Sequence, residues 1–234
     1  MTKRIKHVIL VLILVNCLPG HIFAQDQHFK FGIRVAPNLG WINPDTKYYS
    51  YHGVAAGISL GFVTDINFTA HYAFSTGFNF SFLGGNVTYP DSLLNGKTKV
   101  DGTMSRKYGF RYFEIPCLFK MKTKDFGKFD FFAQVGFTTG FRLKTKAKDN
   151  FQTATQGTIS DSKSITEEET QLIREAVLIG IGTEFHLDES TSLFFGLSYS
   201  NSLNNVLKGA NLKYPDLNAR GSFNYAEVNL GVLF

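Results

Sequence analysis

Residues 68–82 read FTAHYAFSTGFNFSF, and their alternation decides the fold. Phe68, Ala70, Tyr72, Phe74, Thr76, Phe78, Phe80 and Phe82 share one side of a period of two, apolar or aromatic except for the threonine. Thr69, His71, Ala73, Ser75, Gly77, Asn79 and Ser81 share the other, where residues are small or polar. A period of two belongs to a β-strand with one apolar and one polar face. The 15 residues of 68–82, at roughly 3.3 Å each, reach about 50 Å. Tilted by about 45°, such a strand rises roughly 35 Å, enough to cross a bilayer. Globular strands average only about 5–6 residues.

The rhythm recurs on both sides of this stretch. It predicts strands over 28–39, 51–64, 68–82, 108–123, 128–144, 171–187, 191–201 and 223–234. In 128–144, Phe129, Phe131, Ala133, Val135, Phe137, Thr139, Phe141 and Leu143 alternate with Asp130, Phe132, Gln134, Gly136, Thr138, Gly140 and Arg142. In 51–64, glycines and serine (Gly53, Gly57, Ser59, Gly61) face away from Val54, Ile58, Leu60 and Phe62. Small residues suit the crowded interior of a narrow barrel. A capping-box pattern at Thr166–Glu169 leaves a helical start to the sixth segment as a rival, but its β-branched run and Gly180 and Gly182 favour strand. Trp41 sits where an interfacial anchor is expected.

Long polar connections (42–50, 84–107, 145–169, 202–222) alternate with short turns (64–67, 124–127, 188–190). Short periplasmic turns with longer external loops mark a bacterial outer-membrane barrel. The expected fold is therefore all-β: an eight-stranded antiparallel up-and-down transmembrane β-barrel, preceded by a cleaved signal peptide. No apolar run after residue 24 is long enough for a spanning helix.

The domain reading is 1–24 signal peptide and 25–234 barrel. Lys3, Arg4 and Lys6 precede the unbroken apolar run Val8–Val15, and Ala24 offers a small residue before a cut. Cys17 raises a lipoprotein reading, but Leu14-Val15-Asn16 lacks the usual small residue before a lipidated cysteine. Three of the 24 basic residues leave with the leader, so 21 face 19 acidic ones, a formal charge of +2. Such a balance makes no case for nucleic acid. Cys117 alone remains of the two cysteines, so no intrachain disulfide forms in the mature chain. A closed ring stabilises an exported chain differently, by pairing every edge.

By phase, Arg34, His71, Glu114, Lys120, Asp130, Gln134, Arg142, Arg174, Glu184 and Glu227 point inward. Eight strands leave a lumen only wide enough for side chains, and buried charges must be paired. A packed ion-pair network is the preferred reading; a pore lining or binding site is the alternative. Glu114 is expected to pair with one of the basic residues. Pro116 lacks a ladder donor and predicts a bulge or irregularity in its strand. His71 and Ser75 with distant acids form no triad at the level of sequence, so no catalytic residue is assigned. No His or Cys spacing suits a metal, and Gly180-Ile181-Gly182 lacks a dinucleotide loop's third glycine. No cofactor is expected.

Tyr112-Phe113-Glu114-Ile115-Pro116-Cys117-Leu118-Phe119-Lys120 resembles the Y-x-E-I-P-x-L-x-K signature of the PorT-like outer-membrane β-barrel family. Its signature positions are Tyr112, Glu114, Ile115, Pro116, Leu118 and Lys120; Cys117 stands where the family more often has an aliphatic residue. Residues 131–141, 179–185 and 231–234 are similar to that family's later strands. The resemblance implies an eight-stranded barrel in the outer membrane of a Gram-negative bacterium. The family's named member is associated with a secretion system. The external loops themselves point to a structural, accessory or interaction role, since loops on a rigid scaffold are where recognition usually sits. Terminal Phe234 resembles the aromatic signal read by barrel-insertion machinery. Expected partners are outer-membrane lipid and lipopolysaccharide, that machinery, and secretion-system or envelope proteins. A narrow channel or small-ligand transporter is the alternative, and a lipid-modifying enzyme a third reading. Basic residues in 97–111 and 142–148 are read first as solvated loop and second as a contact for lipopolysaccharide phosphates. The mature N-terminus should be Gln25; intact-mass measurement of protein from outer membranes checks this, and a mass retaining residues 1–24 refutes it.

Overall fold

The computed structural model describes residues 29–95, 98–123, 127–153, 157–165, 169–188, 190–210 and 213–234. The expected leader with Cys17, the Gly96-Lys97 tip, residues 124–126 and Glu167, Glu168 and Glu189 lie outside them. The strands are β1 Phe29–Pro44, β2 Ser50–Asn67, β3 Tyr72–Asn95, β4 Thr98–Lys122, β5 Phe129–Thr153, β6 Gly157–Ile165, β7 Ile173–His186, β8 Ser192–Ser202 and β9 Gly221–Leu233. Neighbours pair antiparallel, and β4–β5 pairing closes eight of them into a ring; β6 pairs only with the upper part of β5. At the short-turn end the termini meet: Phe31 N–H donates to Phe234 O at 3.0 Å, and Phe234 N–H to Phe31 O at 2.6 Å.

Alternation turns each strand inside out in the expected sense. Phe78 and Phe80 are 41% and 44% exposed, whereas Ser75, Asn79 and Ser81 are buried. Ile33, Leu60, Phe119, Phe137, Ile181, Leu197 and Leu230 continue this exposed apolar belt around the ring. A belt of this kind needs hydrocarbon around it, and every backbone group beneath it needs a partner within the ring.

The strand ends differ from the sequence expectation. Phe68–His71 is the β2–β3 turn, not the start of β3. The Thr69 hydroxyl accepts from the His71 and Tyr72 N–H groups, both at 3.2 Å. Alternation runs unbroken through this turn, so period alone does not reveal it. β2 correspondingly runs through Asp65 to Asn67, where the sequence suggested a turn. Nor are 84–95 and 98–107 irregular: Gly84-Gly85 and Pro90-Asp91 lie within β3, which pairs with β4 up to Asn95↔Thr98. Part of 145–169 is likewise the β5–β6 hairpin. In the described parts of the next connection, 203–210 and 213–220, Val206, Leu207 and Ala219 are buried against the aromatic residues of the mouth.

Pairing of β3 with β4 lapses at Pro116 without a change of register, since Thr76↔Cys117 and Asn79↔Glu114 keep step. Proline has no N–H to offer there. Gly77 stands opposite it in the left-handed half of conformational space (φ +138°), and a Cβ on it would lie 2.0 Å from the Phe62 carbonyl oxygen. Gly77→Ala should therefore cost about 1–3 kcal/mol, read as a lower urea midpoint in detergent micelles. An unchanged midpoint would show that this position tolerates a side chain.

Candidate functional site

β4 reads the lumen from bottom to top. Its inward residues run from Lys122 and Lys120 at the short-turn end through Leu118, Glu114, Tyr112, Phe110 and Tyr108 to Met104, all buried. Three layers follow from this order.

The lowest layer is ionic. Lys120 Nζ lies 2.6 Å from Asp65 Oδ2 and 2.5 Å from Glu184 Oε1. Lys122 Nζ stands 3.5 Å and 3.3 Å from the same two carboxylates. Two cations and two anions thus neutralise one another where water is excluded, the condition under which buried charge is tolerated. Beside them, Asp130 Oδ2 is 2.9 Å from His186 Nε2, and His186 Nδ1 is 2.8 Å from Ser192 Oγ. This Ser–His–Asp chain ties β5, β7 and β8 together. Ser192 is 1% exposed.

The middle layer has two separate pairs. Arg34 donates to Asn229 Oδ1 at 2.6 Å and to both Glu227 oxygens at 3.1 and 3.2 Å. Ser198 Oγ donates to Glu227 Oε1 at 2.9 Å. Across the lumen, Arg174 Nη1 donates to Glu114 Oε1 at 3.1 Å, while Ser81 Oγ donates to Glu114 Oε2 at 2.5 Å. The remaining Arg174 donors reach Ser202 Oγ, Ser200 Oγ and Phe223 O. Its guanidinium also lies over the Tyr225 ring, 5.0 Å from the centroid. Gln134 lines a small void of about 40 Å³ with Arg34, Asn79 and Asn229. Arg142, higher up, bonds the Thr170 hydroxyl.

The upper layer is apolar, a part of the lumen that the expected ion-pair network does not include. Ile42, Leu83, Val87, Tyr89, Met104, Phe110, Phe151 and Phe223 form one cluster, sealed by Val206 and Leu207 from the folded-in connection. At its rim, Arg106 makes a two-pronged bond to Asp149, at 2.7 and 2.6 Å.

The expected inward residues therefore divide. Arg34, Glu114, Lys120, Arg174, Glu184 and Glu227 carry the ion pairs, Asp130 and Gln134 sit beside them, and Arg142 bonds the upper wall. His71 does not join them: it is exposed in the β2–β3 turn, its backbone held by Thr69 and by Lys122. Ser75 is buried and hydrogen-bonds the Asp65 carboxylate, and His71 is exposed in the turn, so among the described residues the two are not joined in a triad. Within the signature, Tyr112, Glu114, Leu118 and Lys120 turn inward and Ile115 outward, and Pro116 O accepts from Thr76 Oγ1 at 2.8 Å. Phe234 is exposed on the outer face. Asp65, Lys122 and the Arg106–Asp149 pair escape the sequence reading. Lys122 shares the parity of Lys120 and Glu114, and Asp65 that of Ser59 and Gly61; carrying the phase to the strand ends finds both. Among the described residues, no group of three or more His, Cys, Asp or Glu side chains is arranged to hold a metal.

A closed antiparallel ring, apolar outside and filled inside, defines a transmembrane β-barrel. The chain belongs to the family described as "Outer membrane protein beta-barrel domain", which matches residues 23–208. It is a protein of the bacterial outer membrane. No curated protein matches it. Among solved structures it is similar to Neisserial surface protein A, with 10% identity over 88% of this chain and 96% of that one, TM-score 0.42. It is also similar to Ail, the attachment invasion locus protein of Yersinia pestis, with 11% identity over 89% and 100%, TM-score 0.37. OprG from Pseudomonas aeruginosa shares 9% identity over 88% and 95%, TM-score 0.40.

Glu114→Ala should leave the fully buried Arg174 charge without its carboxylate, at a cost of about 3–5 kcal/mol. The temperature of the heat-modified gel shift should fall, with Glu114→Gln intermediate. A wild-type shift and melting temperature for Glu114→Ala would show that the pair does not support the barrel.

Proposed function

We propose that this chain is a non-catalytic structural or accessory interaction protein, a closed barrel that holds external hairpins toward an envelope partner. The carrying observation is the contrast between its lumen and its hairpins. Paired charges and stacked aromatics occupy the lumen, and Val206, Leu207 and Ala219 of the β8–β9 connection pack against its upper aromatics. Meanwhile β3 and β4 continue as a paired ladder from Leu83↔Phe110 out to Asn95↔Thr98. Loops and hairpins on a rigid scaffold are where recognition usually sits.

The filled lumen weighs against the narrow channel, and the buried Ser192 hydroxyl weighs against a hydrolase. The signature at Tyr112–Lys120 supports the finer form of the reading, a PorT-like accessory role linked to secretion. The reading includes removal of residues 1–24 on export and recognition of Phe234 by the insertion machinery.

Replacing residues 91–102 with an Asn-Gly turn preserves the Pro90↔Thr103 rung and should leave a heat-modifiable barrel. Cross-linking in intact cells should then lose the envelope proteins captured by the full-length chain, and planar bilayers should show no conductance steps for either form. Unchanged capture, or discrete conductance from the full-length protein, would overturn the proposal.

A further inference from the structure

One irregularity in the ladder redirects a run of lysines. β4 and β5 pair as Tyr112↔Arg142 and then as Arg111↔Lys144, so Leu143 is an extra residue in β5. A one-residue slip exchanges the faces of everything beyond it. Below the bulge, even-numbered residues of β5 turn inward; above it, Thr145, Ala147, Asp149 and Phe151 are buried and Lys144, Lys146 and Lys148 are exposed. Directly across, Arg111 pairs with Lys144, Gly109 with Lys146 and Lys107 with Lys148, and Arg111 and Lys107 are exposed as well.

Five cations thus share one outer face, and like charges stand directly opposite one another on two rungs. Such pairs are destabilising. Among the described residues, the neighbouring positions on that face carry no acid: Phe82, Gly84, Asn86 and Thr88 on β3, Ser105 on β4 and Asn150 on β5; the register partners of Lys148 and Lys146 on β6 are Ser162 and Ser164. Inward cations of the same strands are treated differently: Arg106 has Asp149, and Lys120 has Asp65 and Glu184. The five outward ones make no ion pair among the described residues.

Their height is informative. Phe141 and Leu143 are exposed immediately below Lys144, and Phe82 stands directly opposite Arg111 on β3, its ring centroid 5.6 Å from the guanidinium. The patch begins where the apolar belt ends. We propose that this face binds the phosphate groups of a lipopolysaccharide molecule in the outer leaflet, its acyl chains lying on the belt below. An amphiphile with phosphates at the edge of its hydrocarbon satisfies both halves of the surface, whereas a soluble polyanion would use only the cations. The assignment stands apart from the hairpins' protein partner and survives if that partner is not found.

The test uses the purified full chain in detergent, titrated with lipopolysaccharide and with lipopolysaccharide stripped of its phosphates. Lys107→Gln/Lys146→Gln/Lys148→Gln and, separately, Arg111→Gln/Lys144→Gln are compared with Lys128→Gln at the opposite end. Intact lipopolysaccharide should raise the heat-modification midpoint of the wild type and of Lys128→Gln. Its affinity should fall about tenfold or more for both patch variants and for the stripped glycolipid, and added salt should weaken binding. The unliganded variants should fold normally, because each removes like-charge contacts. Equal affinity of wild type and patch variants, or of intact and stripped glycolipid, overturns the proposal. Equally tight binding of heparin would overturn the assignment to a lipid.

Discussion

In hydrocarbon a backbone N–H or C=O without a partner has no water to turn to. That constraint explains why β9 returns to β1 and why β4 pairs with both β3 and β5. Once the ring closes, strand residues that meet hydrocarbon must be apolar, and polar side chains at that depth turn inward. The number of strands then limits the interior to the width of side chains. Closure, two-faced strands and a filled lumen are consequences of one requirement.

Filling the lumen raises a second problem, since inward residues exclude water from one another. Two solutions are stacked along the barrel axis. In the lower part, charges are kept but matched, Lys120 and Lys122 against Asp65 and Glu184, and Arg174 against Glu114. In the upper part, charges give way to aromatics that pack against Val206 and Leu207. Arg174 joins the two, bonding Glu114 through its nitrogens while presenting its guanidinium face to Tyr225 and Phe223. Such a core fills the lumen with side chains from one end to the other.

Much of this was legible in residue order. Strand identity and most of the facing came from the period of two, because parity fixes a side chain's face along any stretch of strand without a bulge. Placing Glu114, Lys120, Arg174 and Glu227 indoors needed nothing further. The failures occur where parity stops being informative. Phe68–His71 keeps the alternation through a turn, so His71 carries an inward phase at a position that is not in a strand. Asp65 was hidden because an aspartate near a strand end resembles a turn residue until Lys120 and Lys122 are seen beside it. The apolar upper lumen was missed because Val206 and Leu207 enter from a connection with no period at all.

The sequence by itself determined the all-β class, the lipid-facing belt and the list of charges that a narrow barrel would have to neutralise. These are local properties of alternation and composition. Only the tertiary structure decided which charge meets which, because partners such as Arg174 and Glu114 lie on strands brought together by ring closure rather than by sequence. It alone showed the bulge at Leu143 as well, since an extra residue is defined only against the strand it pairs with. That single residue determines whether Lys144, Lys146 and Lys148 face the lumen or the outside.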